Sequence, residues 1–156
     1  MSEIILLKPP RFSDNRGWFS ETYKADYRRL PVFVQDNHSC SRKNVIRGMH
    51  YQPGMSKLMR VTRGAAFLAA VNLRTGETFT ATVGEQDGLQ IWAPDHWARG
   101  FCALTDNTEI QYKCSAFFDP KTEGAVRWDS VGIKWPVDEP ILSEKDRRAA
   151  PLRVPV

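Results

Sequence analysis

Apolar and polar positions alternate with a period of two through most of the chain, in short runs, and almost nowhere with the period of a helix. Strands are predicted at IILLK (4–8), GWFSETY (17–23), VFVQDNHS (32–39), VIRGMHYQ (45–52), KLMRVTR (57–63), AFLAAVNLR (66–74), FTATVGE (79–85), LQIWA (89–93), GFCAL (100–104) and EIQYKCS (109–115). β-Branched and aromatic residues crowd these runs, as pleated, half-buried surfaces favour. PGMS, RTGE, EQDG, PDHW and TDN separate consecutive runs by a few residues, which is the spacing of antiparallel hairpins. Only KADYRRL (24–30) and SEKDRRAA (143–150) read as helices, and both are short. No repeat, linker or low-complexity tract intervenes, so residues 1–156 are expected to form one all-β domain, a sandwich or barrel of short strands. From about Asp119 the chain becomes rich in Pro and charge. Trp128 and Trp135 in this C-terminal extension predict that it packs back onto the barrel, because free indoles would leave a large apolar area in water.

Composition narrows the function. The chain is 42% hydrophobic and 26% charged, an ordinary globular balance. No run reaches the roughly 18 apolar residues of a membrane span. MSEIILLKPP has an acidic residue near its start and too short an apolar run for a signal peptide, so a cytoplasmic protein is expected. Cys40, Cys102 and Cys114 form no CxxC pair and are expected to be free thiols. The net charge of +4 points to an anionic partner. Nucleic acid is one candidate, but the basic doublets Arg28-Arg29, Arg42-Lys43 and Arg147-Arg148 are scattered and accompany no nucleic-acid-binding motif, and a small phosphorylated ligand explains the excess equally well.

His38, His50 and His96 are widely spaced, with no HxH pair, which argues against a metal centre. No nucleophile elbow singles out a serine or cysteine. Strict alternation puts Arg47, Met49 and Tyr51 on one face of their strand and Ile46, Gly48, His50 and Gln52 on the other. In the next strand Lys57, Met59 and Val61 share a face opposite Leu58, Arg60 and Thr62. With QPGMS as the turn, His50 and Lys57 can meet at a barrel mouth. On spacing alone His50 reads equally as a hydrogen-bonded core histidine, and Lys57 as a solvated strand end.

RFSDNRGWFSETY (11–23), FVQDNHS (33–39), VIRGMHYQ (45–52), KLMRVTRG (57–64), EIQYKCSAFFDP (109–120), VRWDSVGIKWP (126–136) and PILSEKDRRAAPL (140–152) resemble, in order and spacing, the dTDP-4-dehydrorhamnose 3,5-epimerase family. The resemblance implies a cupin-type antiparallel β-jelly roll, usually a homodimer, that inverts carbons beside the ketone of nucleotide-diphosphate-linked 4-keto-6-deoxy sugars with no metal or organic cofactor. Removing a proton beside a carbonyl requires a base, a group that holds the enolate oxygen, and a donor on the opposite face. By resemblance His50 is the base, Asp146 its carboxylate partner and Lys57 the cation near the ketone oxygen. Tyr112 matches an active-site tyrosine. Without the resemblance, Ser143 and Asp146 read as the N-cap and N3 residues of a short helix. Arg16 and Phe19 are implied to reach the nucleotide, and Gln35, Asn37 and Arg47 the diphosphate and sugar. From the residues alone, Arg16 is equally a loop charge and Phe19 a packing residue.

The chain departs from the family at three places. Phe118 stands where the family has its proton-donating tyrosine, and a phenyl ring carries no transferable proton. Arg99 occupies a histidine position of the family, adding a fixed cation suited to an anionic substrate, and Asn72 replaces an aspartate. The expectation is an epimerase, restricted to one carbon or acting on an atypical sugar, with Arg99 and Phe118 among the substrate contacts. Two alternatives stand beside it: a nucleotide-sugar-binding member with reduced catalysis, and a 3,4-ketoisomerase.

Overall fold

A computed structural model describes residues 3–26 and 30–154. Strands β1 (Ile5–Leu7), β4 (Gln35–Ser41), β5 (Ile46–Tyr51), β6 (Lys57–Arg63), β7 (Ala65–Asn72), β8 (Thr78–Gly84), β9 (Gln90–Ala93), β10 (Trp97–Ala103), β11 (Thr108–Cys114) and β12 (Gly124–Ala125) form two five-stranded sheets, all antiparallel. One has the order β1-β9-β6-β11-β4, the other β12-β5-β10-β7-β8. β2 (Phe12–Asp14) and β3 (Gly17–Phe19) make a separate hairpin. The two facing sheets form the expected jelly roll. Among the described residues no helix is long and apolar enough to cross a membrane.

Period-2 patterning sorts these strands into faces. Along β6, Lys57 and Met59 border an interior cavity and Val61 joins the core. That core, with Leu68, Val83, Ile91, Phe101 and Ile110, closes one end of the space between the sheets. The other end stays open. A second cluster lies on the outer face of the second sheet, where Ile46, Met49, Val71, Ala98 and Cys102 meet Val126, Val131 and Trp135. Trp135 packs edge-on against Phe67 at 5.6 Å between centroids, and its Nε1–H donates to Trp128 O at 3.0 Å. The C-terminal extension thus covers the barrel, as its tryptophans require.

The structure corrects the alternation in β5. Arg99 pairs with His50 but Phe101 with Arg47, so three steps along β5 match two along β10. This bulge shifts the parity by one residue. Arg47 and His50 both border the cavity instead of facing opposite ways, while Ile46 and Met49 both join the outer cluster. Gly48 makes the bulge possible. It has φ +131°, and a Cβ there would lie 2.6 Å from Gly100 Cα, a collision of backbone with backbone.

Other differences are local. β10 starts at Trp97 rather than Gly100, because the chain re-enters the sheet directly after Pro94–His96. β4 begins at Gln35, not 32, and β3 ends at Phe19, not 23. In the expected helix 24–30, Ala25 and Asp26 form a turn, and residues 27–29 lie outside the described residues. The second expected helix is present as α1 (Glu144–Arg148).

Candidate active site

β5 supplies a base whose orientation comes from the far end of the chain. His50 Nε2 lies 2.5 Å from Asp146 Oδ1, and Asp146 Oδ2 accepts from Gly48 N–H at 3.4 Å. Asp146 is 2% exposed, whereas His50 keeps about a quarter of its side chain open. Burial works to raise the Asp146 pKa, but the hydrogen bond and charge of His50, with Gly48 N–H and the Ser143 hydroxyl, outweigh it and hold the carboxyl below its usual value. An ionised carboxylate accepts only, so Nε2 carries a ring proton, and in the neutral imidazole the lone pair is on Nδ1. The helix-cap reading holds as well, for other atoms: the backbone N–H of Asp146 donates to Ser143 Oγ at 3.1 Å. One residue serves both purposes.

His50, Asp146, Lys57, Tyr112, Arg47 and Arg99 border one cavity of about 400 Å³ between the sheets. Lys57 and Tyr112 come from the first sheet and His50 and Arg99 from the second, so they face each other across it. Lys57 Nζ sits 4.9 Å from the Tyr112 ring centroid. Burial, then the charge of Arg99, pushes the Lys57 ammonium down to about 8. Burial pushes the Tyr112 phenol up, so it is protonated at neutral pH. Arg47 is exposed at the rim, where Nε donates to Ser41 Oγ at 3.0 Å and Nη2 to Cys40 O at 3.2 Å. Arg99 is 3% exposed, more buried than Arg47 or Lys57.

Gln35, Asn37 and Phe118 line an adjoining hollow that also touches His50, Lys57 and Tyr112. Gln35 Nε2 donates to Asn37 Oδ1 at 3.0 Å, and its Oε1 accepts from Phe118 N–H at 2.8 Å. Arg16 and Phe19 are not brought to the cavity by this chain. They sit on the β2–β3 hairpin, where Arg16 Nη2 pairs with Asp14 Oδ2 at 2.6 Å and Phe19 is 64% exposed. Asn72 lies elsewhere, its Oδ1 accepting from Arg74 N–H at 2.9 Å in a turn.

Cys114 and Glu123 are among the lining residues that the sequence did not single out. Cys114 is two residues beyond Tyr112 on β11, so alternation from Tyr112 pointed to it. Glu123, paired with Lys145, precedes β12 in irregular chain, where no periodic signal exists. Of the other histidines, His38 bonds Glu109 Oε2 at 3.0 Å, and His96 lies between Glu3 and Asp95. Among the described residues, no three His, Cys, Asp or Glu side chains are grouped to hold a metal ion.

The arrangement can take a proton from carbon at Nδ1 of His50, hold negative charge at Lys57 and return a proton from Tyr112 opposite. Known proteins resemble this chain in sequence and in fold. The family described as dTDP-4-dehydrorhamnose 3,5-epimerase matches residues 1–153. A relative from Neisseria gonorrhoeae bearing that name is 41% identical over 94% of this chain, which spans about half (49%) of its length. The crystal structure of dTDP-4-dehydrorhamnose 3,5-epimerase from Bacillus anthracis with TDP and PPi bound superposes with TM-score 0.92 at 33% identity, covering 96% of this chain and 94% of that one. A 3'-monoepimerase from Streptomyces bikiniensis in complex with dTDP-quinovose gives TM-score 0.89 at 28% identity, covering 96% and 83%. The chain belongs to the dTDP-4-dehydrorhamnose 3,5-epimerase family and is an isomerase of the carbohydrate-epimerase class.

Proposed function

We propose that this protein epimerises a dTDP-linked 4-keto-6-deoxy sugar at a carbon beside the ketone, with His50 as base. The carrying observation is the His50–Asp146 pair, which leaves Nδ1 free within the cavity that Lys57 and Tyr112 border from the opposite sheet. His50 Nδ1 takes the proton, the C–H electrons move onto the carbonyl oxygen, and the Lys57 ammonium holds the resulting enolate. Asp146 stabilises the imidazolium. The Tyr112 phenol returns a proton from the other face, inverting the carbon; water then reprotonates the phenolate and takes the proton from His50, which restores both groups. Arg47 at the rim suits the diphosphate, with Gln35 and Asn37 beside it.

Phe118 favours inversion of a single centre, because the hollow it lines with Gln35 and Asn37 has an aromatic face but no acid at that position. Similar structures include both 3,5-epimerases and a 3'-monoepimerase, so the single-centre reading rests on Phe118. Phe12, Trp18 and Phe19 are all more than half exposed on the β2–β3 hairpin. A homodimer in which this hairpin meets a second copy would bury them and bring Arg16 and Phe19 to a ligand. Three free cysteines, Cys102 and Cys114 of them buried, suit a reducing compartment, and the cytoplasm is the proposed location.

Incubation with a dTDP-linked 4-keto-6-deoxyhexose in deuterated water tests the reaction by NMR. Deuterium should enter beside the ketone with inversion at one carbon. Tight dTDP binding with no deuterium uptake would instead make the protein a binding member without turnover. The pH dependence is also fixed by the site. Lys57 must be protonated to hold an enolate, and its ammonium is lowered to about 8. kcat/KM, which reports the free enzyme, should therefore fall as pH rises through about 8. Lys57→Arg should remove that alkaline limb whatever its effect on the maximum rate.

A further inference from the structure

We infer that Arg99 is a catalytic residue of the same reaction, a second cation that holds the enolate oxygen together with Lys57. This rests on the epimerase reading. Arg99 lies on β10 in register with His50, borders the same cavity and is 3% exposed. Its Nη1–H donates to Trp97 O at 2.6 Å and its Nη2–H to Met55 O, while Nε is buried with no partner. Among the described residues it forms no salt bridge. Asp95, the carboxylate whose charge reaches it, is occupied by Gly54 N–H and His96.

Burial lowers the guanidinium only to about 10, so it is charged at neutral pH. A cation taken out of water without a counter-charge is expensive, and two carbonyl bonds do not compensate it. The cavity beside it holds two further cations, Arg47 and Lys57, against Asp146, which His50 already engages. Glu123 in the adjoining hollow is paired with Lys145, so the cavity keeps an excess of positive charge, and a substrate can bring the negative charge as diphosphate or as enolate.

Position decides between them. Arg47 is the exposed cation at the rim, reachable by a diphosphate that enters from solvent. Arg99 is buried, directly across the strand pair from His50, and after burial its charge is the largest influence on Lys57. The base attacks a carbon bonded to the carbonyl carbon, so the oxygen that gains charge lies two bonds from the reacting atom. A cation neighbouring both the base and Lys57 therefore addresses that oxygen. Its two carbonyl bonds hold it still, so little reorganisation accompanies charge development.

The test compares wild type, Arg99→Gln and Arg99→Lys in two measurements: deuterium exchange at saturating keto-sugar, and Kd for dTDP, which has the diphosphate but no ketone. Arg99→Gln should lose about 100-fold in exchange, the scale of one oxyanion-holding group, with Kd for dTDP within about threefold. Arg99→Lys, which keeps the charge without the fork, should lose roughly tenfold. Unchanged exchange in Arg99→Gln, or a raised Kd for dTDP with exchange intact, overturns the inference and leaves the epimerase reading standing. Should Arg99→Gln fail to fold, Arg99→Lys decides, and a wild-type exchange rate in it is the overturning result. No exchange by the wild type removes the epimerase reading itself, and this inference with it.

Discussion

Replacing His50 by Ala is expected to cut deuterium incorporation beside the ketone by about 10³-fold, within the range that general-base catalysis contributes. In the neutral imidazole Nδ1 of His50 offers the oriented lone pair that the proposed reaction needs, and no neighbour substitutes for it. Lys57 is a cation needed in its protonated form, and Tyr112 stays protonated because burial raises its phenol. Kd for dTDP should move by less than about threefold, since the imidazole contributes no charge to a diphosphate. The variant leaves Asp146 Oδ1 without its donor, a buried acceptor worth about 1–3 kcal/mol, so a lower Tm should accompany a retained fold. Exchange at the wild-type rate would show that another group is the base.

Asp146→Asn should lose almost as much, about 10²- to 10⁴-fold, for a different reason. The substitution preserves volume, and the cap at Ser143 uses the backbone N–H of residue 146, so α1 keeps its first turn. What changes is the sense of the hydrogen bonds. Gly48 N–H needs an acceptor, which turns the amide oxygen towards it and the amide NH₂ towards His50 Nε2. The imidazole then has to accept at Nε2 and carry its proton on Nδ1, so the base nitrogen is occupied. Nitrogen-15 shifts of the His50 ring would report the exchanged tautomer directly, with Tm little changed. A variant that kept both the wild-type tautomer and wild-type exchange would deny Asp146 this role.

Much of the fold was legible because sheet-forming strands with one wet and one dry face must alternate. β6 was read with its bounds and both of its faces, and β7, β8, β9 and β11 to within two residues at either end. The parity of β5 was not legible. It is set by a bulge against β10, fifty residues downstream, and by the close approach of Gly48 to Gly100, neither of which leaves a local signature. β2 and β12 were missed because three and two residues are too few to show a period. Within the site, His50, Lys57 and Asp146 were found through motif resemblance. The burial of Arg99 was not foreseen, because an arginine two residues after a tryptophan looks the same in sequence whether it faces water or the barrel interior. The distance of Arg16 and Phe19 from the cavity could not be foreseen either, since it depends on where the hairpin projects.

The His50–Asp146 contact joins residues ninety-six positions apart, and the chain that leads to Asp146 is also tied to β5 and its start where Val126 bonds Met49 and Ile141 bridges Val45. In the proposed site the groups on β4, β5 and β6 come early in the sequence and the acid that orients the imidazole comes late, so a single long-range contact couples the two. Loss of the segment that carries α1 is therefore expected to cost proton transfer before it costs nucleotide binding.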